Sequence, residues 1–267
     1  MRTTIGVVTS TYPNFSGIEA MEGISKAGFK YVELASAPAF FEHMPRPEKS
    51  TDQKVVDGVL DLCKKYGLIL QAIAGHTRLM QEDSVKNFKT VLDFASKARV
   101  KFVTTDTGEV KDKEDERKFY TDIAELADYA KDKGVVICFE MHGNWCNNGK
   151  KGAEIIKIIN HPNIKLNYDT GNVILYGMVR PEEDIKYAIP YMGYLHIKEH
   201  GNGKMGEWNF PALGDGVLNF NKIFDLLKDY NGPSSVEIEF EGKERTLDEI
   251  NQAVKKSFDF LEGYGYV

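Results

Sequence analysis

Three carboxylates and an imidazole, Glu140, Asp169, His196 and Glu239, each stand at the C-terminal end of a short apolar, β-branched run: FEMHG, LNYDTGN, YLHIKEH and EIEFEG. Residues of these types, brought together, make a hard, oxygen-rich set suited to one divalent cation, with Mn²⁺ the expected ion and Mg²⁺, Co²⁺ and Zn²⁺ the alternatives. A dication that polarises a carbonyl beside a carboxylate base is the machinery for removing an α-proton. The intervals between the four correspond to separate strand–helix units. The elements that position them must therefore be strands whose ends meet at one mouth.

Short β-like runs alternate with helical patterns eight times. The strands are expected at TIGVVTS from Thr4, KYVELAS from Lys30, LILQAIAGH from Leu68, KFVTTDTG from Lys101, VVICFEMHG from Val135, IKLNYDTGN from Ile164, GYLHIKE from Gly193 and SVEIEFEG from Ser235. Between them, Val85, Phe88, Leu92 and Ala95 recur at helical spacing, as do Leu247, Ile250, Val254, Phe258 and Leu261. Gly28, Gly67 and Gly134 fall where helices should end. Alternation of this kind implies parallel strands and right-handed crossovers, and eight units favour closure into a (β/α)₈ TIM barrel spanning residues 1–267 as one domain. Long connections are expected at Pro38 to Thr51, which includes His43, and at Gly201 to Leu218, on the face where such barrels do chemistry.

Composition narrows the function. The chain has 267 residues, 42% apolar and 28% charged, and its 34 basic and 40 acidic residues give a formal charge of −6 without a basic run. That argues against a nucleic-acid partner. Cys63, Cys138 and Cys146 show no CxxC spacing, which fits a reducing cytoplasm better than a disulfide framework. There is neither a signal-like N-terminus nor an apolar run of about 18 residues, so no membrane association is expected.

In this order, ExH (Glu140, His142), DTGN (Asp169 to Asn172), HxK (His196, Lys198) and GPSSVEIEFEG (Gly232 to Gly242) resemble the xylose isomerase-like barrel superfamily of sugar epimerases, isomerases, dehydratases and type IV apurinic endonucleases. The resemblance implies that Glu140, Asp169, His196 and Glu239 ligate one metal, with Glu140 and Glu239 as acid/base groups on opposite faces of a small sugar or polyol. It places Lys198 near the substrate, and family habit suggests a homodimer or homotetramer. His76 ends the third strand and is a candidate substrate contact. His142, Trp145 and Asn172 complete the expected substrate pocket, and Glu33, acidic within a strand, belongs to its floor.

Two departures bear on the substrate. Cys146 and Asn202 occupy positions where the ketose 3-epimerases carry a glutamate and an arginine. Against the endonucleases, Asn172 replaces the histidine of a DxxH pattern, the fourth strand ends in Thr105, Asp106 and Thr107, and no DxH follows His196. The expectation is a metal-dependent sugar isomerase or epimerase working through an enediolate. A lyase or dehydratase acting on a keto-sugar is the alternative, with a non-catalytic sugar-binding barrel and a DNA-repair enzyme further behind. Free and phosphorylated sugars are not separated: the Gly214 to Gly216 turn is equally a phosphate cradle and a plain loop.

Overall fold

Eight short runs of β-branched and apolar residues form parallel strands whose order in the chain is their order around a closed ring. In a computed structural model, which describes residues 3–37, 41–43, 52–76, 79–242 and 244–267, the strands are β1 (Ile5–Val8), β2 (Tyr31–Ala37), the two-residue β3 (Phe41–Glu42), β4 (Ile69–Ala74), β5 (Phe102–Thr105), β6 (Val136–Glu140), β7 (Ile164–Asp169), β8 (Met192–Lys198) and β9 (Ser234–Glu237). The ring closes because β1 pairs in parallel with both β2 and β9. β3 lies outside it, antiparallel to β2. All eight expected strands are present in a (β/α)₈ barrel. The last run differs: its β-like composition extends to Gly242, but the strand stops at Glu237. The connection expected at Pro38 to Thr51 lies outside the described residues except for 41–43.

The intervening helices are α1 (Gly17–Ala27), α2 (Gln53–Lys65), α3 (Ser84–Lys97), α4 (Lys113–Lys133), α5 (Gly149–Ile159), α6 (Asn172–Leu175), α7 (Pro181–Ala188), α8 (Phe220–Leu226) and α9 (Leu247–Gly263). Local sequence sets several of their ends. Ser16 with Glu19, and Thr246 with Glu249, form capping boxes that satisfy free N–H groups at the starts of α1 and α9. Phe88, Leu92 and Ala95 of α3 and Ile250, Val254 and Leu261 of α9 are buried against the strands. Their partners on the outer side of the ring include Val7, Val32, Ile73, Val103, Ile137, Leu195 and Val236. Period-two alternation then turns Glu33, Thr104, Glu140, Asp169, His196 and Glu237 inward.

Gly28 closes α1 with φ 111°, and a Cβ there would meet the Phe258 ring of α9 at 2.8 Å. That ring also packs edge-on against Phe29 at 5.2 Å. Gly28→Ala is therefore predicted to cost about 1–3 kcal/mol of stability. Urea unfolding would measure it, and a loss below the error of the fit would show that the turn relaxes freely.

Candidate metal centre

The ends of β6, β7, β8 and β9 are consecutive around the ring, and the pairing register sets Asp169 level with His196. Ligand atoms from Glu140, Asp169, His196 and Glu237 all lie within 4.8 Å of one another, and all four side chains are buried. His196 Nδ1 is 3.8 Å from Glu140 Oε1, 3.7 Å from Asp169 Oδ2 and 3.6 Å from Glu237 Oε2.

Each side chain is aimed by a specific neighbour. Asp169 Oδ1 accepts the N–H groups of Gly171 (2.8 Å) and Asn172 (2.7 Å), so the DTGN turn fixes one carboxylate oxygen and leaves Oδ2 facing the centre. Asn172 Nδ2 donates to Glu140 Oε1 at 2.8 Å. Ser10 Oγ donates to Glu237 Oε1 at 2.8 Å, and Lys198 Nζ donates to Glu237 Oε2 at 2.9 Å. His196 Nε2 lies 3.0 Å from Glu33 Oε2, whose other oxygen accepts from Thr104 Oγ1 at 2.8 Å. Glu33 thus holds the imidazole with Nδ1 turned inward.

Asp169 Oδ2 and His196 Nδ1 are buried and have no hydrogen-bond partner. Acceptors that face one another in a buried site cost free energy unless a proton or a cation lies between them. Nitrogen and oxygen ligands about 2.0–2.2 Å from a common ion lie within roughly twice that of one another, so small inward movements suffice. Electrostatics agree. Burial pushes the His196 ring toward neutrality, but the Glu33 and Glu140 carboxylates hold its pKa well above the usual value. Burial likewise raises Glu140, yet His196 and His76 hold it well below the usual carboxylate range. The cavity favours positive charge, supplied by a proton or by a dication. Neutralising Glu33 as Glu33→Gln is predicted to weaken Mn²⁺ affinity about 10–100-fold without removing a ligand. Isothermal titration would check this, and unchanged affinity would deny Glu33 its orienting role.

Glu239 requires a correction. The sequence points to Glu239 for the ligand set and as the second acid/base group, but the cluster of converging ligand atoms contains Glu237 and not Glu239. The run VEIEFEG carries glutamates at 237, 239 and 241 that alternation sends to one face, so only depth in the barrel separates them. Register decides: Glu237 is level with Lys198, and the chain then leaves the ring. Beyond β9, Glu239 exchanges backbone hydrogen bonds with Phe210 of the β8–α8 loop (3.0 and 3.2 Å). Its carboxylate bonds the Lys198 ammonium near the mouth, and burial pushes its pKa up to about 7 against the pull of that cation.

Four of the five expected substrate contacts surround the centre. His76 bridges two carboxylates, with Nε2 at 3.3 Å from Glu140 Oε2 and Nδ1 at 3.3 Å from Asp106 Oδ2. His142 Nε2 meets Tyr176 Oη at 2.9 Å. Asn172 Oδ1 accepts from Lys198 Nζ at 3.2 Å, and that ammonium lies 4.3 Å from the Phe210 ring centroid. Trp145 is elsewhere: it packs edge-on against Phe119 of α4 and under the Lys151 ammonium of α5, outside the ring of strands. A tryptophan five residues beyond the end of β6 reads as a mouth residue in sequence, but the His142–Cys146 bridge turns the chain back before it. Ser10, Asp106 and Tyr176 were not anticipated. Nothing in their local pattern sets them apart: Ser10 and Asp106 follow strands as many polar residues do, and Tyr176 follows the short helix α6.

Comparison with known proteins agrees with this architecture. The sequence model of the xylose isomerase-like TIM barrel family matches residues 21–264. An L-ribulose 3-epimerase from Methylomonas sp. (strain DH-1) is 35% identical over 120 residues, a match spanning 42% of this chain and only 38% of that protein. A D-allulose 3-epimerase structure from Methylomonas sp. superposes with TM-score 0.76 at 22% identity over 98% of each chain. The probable 3-DHS dehydratase of Bacillus anthracis does so with TM-score 0.75 at 15% identity, over 98% of this chain and 99% of that one. At these identities the structural matches establish shared fold. Among the described residues no helix is long and apolar enough to cross a membrane.

Proposed function

This chain belongs to the xylose isomerase-like TIM barrel family, and from that premise we propose that it is a metal-dependent sugar epimerase or isomerase. One observation carries the reading: a buried set of three carboxylates and an imidazole with inward lone pairs lacking partners, at the mouth of a barrel. Glu140, Asp169, His196 and Glu237 would hold one divalent cation, Mn²⁺ being our expectation for three oxygen donors and one nitrogen. When bound, the ion would supply Lewis-acid stabilisation of negative charge on the substrate's carbonyl oxygen.

The proton chemistry belongs to the chain. Glu140 on β6 and Glu237 on β9 approach the centre from strands three places apart around the ring, so their carboxylates flank whatever sits between them. One would remove the proton α to the carbonyl and the other would return one from the opposite side, inverting the carbon through an enediolate. Transfer by a single carboxylate between adjacent carbons would give isomerisation. Lys198 and Asn172 hold these carboxylates by hydrogen bonds, His76 pairs with Glu140 as an ion-pair neighbour, and Lys198 and His142 are placed to meet substrate hydroxyls. The curated epimerase relative supports the substrate class.

With Mn²⁺ and a panel of ketoses in D₂O, NMR should reveal deuterium at one α-carbon and a second epimer. If the ion-loaded protein exchanged no α-proton in any ketose, the reading would fail. The Lys198 ammonium, set between Glu237 and Glu239, also favours a second outcome, in which it protonates a departing β-oxygen. Elimination of water lowers the product mass, so mass spectrometry of the same sample separates the two.

A further inference from the structure

We propose that the substrate carries an uncharged, hydroxyl-bearing second ring, bound in a cleft between the loops that follow β4, β5 and β6. This deepens the preceding reading and rests on it. The cleft has a volume of about 580 Å³, and Asp106, His142 and Tyr176 line its inner end. Asp106 is joined to Glu140 through His76, so the inner end of the cleft is the wall of the proposed catalytic centre. At about 30 Å³ per water, such a space holds roughly twenty waters, more than a single sugar seated over the ligands would displace.

Its shape is built into the backbone. Gly108 (φ 70°) and Gly143 (φ 66°) line it, and a Cβ on Gly143 would meet nothing nearer than Gly108 O at 3.9 Å. The floor therefore lacks a side chain at Gly143 where a ring would lie, whereas at Gly108 the missing Cβ lets the Leu79 backbone approach closely. Leu79 and Met80 offer an apolar wall, while Gln81, His142 and the carboxylates of Asp106 and Glu109 offer hydrogen-bonding groups. Polar and apolar surface share the cleft about evenly, which matches a ring with hydroxyls at its edge and C–H groups on its faces.

Charge selects what enters. Among the described lining residues the one cation is Lys111, and its Nζ already lies 3.3 Å from Glu109 Oε2. Among the described lining residues Asp106, Glu109 and Asp115 outnumber that cation, a balance that disfavours a phosphate and suits donating hydroxyls.

Binding tests this independently of turnover. Isothermal titration of the Mn²⁺-supplemented protein would compare glucitol, glucitol 6-phosphate and maltitol, a hexitol bearing an uncharged glucose ring. Maltitol should bind at least tenfold more tightly than glucitol, and glucitol 6-phosphate more weakly than either. Gln81→Trp and Lys111→Trp, which fill the cleft from exposed positions on different loops, should each abolish maltitol's advantage. Equal affinity for maltitol and glucitol, preference for the phosphate, or an advantage that survives both substitutions overturns the proposal. Deuterium exchange at an α-carbon, measured separately on ketoses, reports on the proposed chemistry, so failure of the centre and failure of the cleft give different results.

Discussion

Glu237→Gln is expected to lower kcat by about 10²–10⁴-fold, the usual contribution of a positioned acid/base group. The amide keeps the shape of the side chain and one oxygen able to ligate, but it cannot take a proton. Cation occupancy should therefore fall less than turnover does. Glu239→Gln is the informative partner. Its carboxylate bonds Lys198 at the mouth and lies outside the converging ligand set, so one equivalent of Mn²⁺ should still bind. The loss of activity should be about tenfold, as for weakening one hydrogen bond to a charged group. Steady-state kinetics with elemental analysis of both variants would check this. If Glu239→Gln lost the cation and Glu237→Gln kept full activity, the assignment of depth along this strand would be reversed.

Removing and restoring the cation should have the second large effect, on stability as well as activity. A dication at 100 times its Kd stabilises the native state by about 2.7 kcal/mol. For a chain of this size that corresponds to a rise in Tm of about 5–10 °C. The pH dependence separates the two forms. In the ion-free protein the pKa of His196 is raised above its ordinary 6.5, so its contribution is complete below that pH and is lost as pH rises through the raised value. Glu140 is held below its ordinary 4.5, so its contribution is present above that pH and is lost as pH falls through the lowered value.

His196 and Glu140 thus place the stability maximum of the ion-free protein between about pH 4.5 and 6.5, and Glu239, raised to about 7, draws it toward the acid end because its contribution is lost as pH rises from 4.5. Binding a dication requires a neutral imidazole and releases its proton, so affinity should fall toward acid while the alkaline loss of stability disappears. Thermal melts with chelator and with Mn²⁺ across this range would measure both effects. Coincident curves for the two forms would show that no ion occupies these residues.

Several features of this protein were fixed locally and could be read from the chain. The eight strands follow from β-branched runs punctuated by capping residues, because secondary structure of this kind depends on neighbours a few positions away. Glu140, Asp169 and His196 stand out because each puts a ligand-capable group at or within two residues of the end of an apolar strand, and Glu33 because an acid inside a strand demands a partner. The choice between Glu237 and Glu239 had no local signal. It was decided by register against β8 and by the loop strand at Phe210, contacts made between segments far apart in sequence. The same holds for Trp145, which a two-residue bridge sends to the outer face, and for the cleft, which exists only where three separate loops come together. The sequence by itself determined which side chains were available to hold a cation; only tertiary structure decided how deep each one sits, because depth is set by the packing of neighbouring strands.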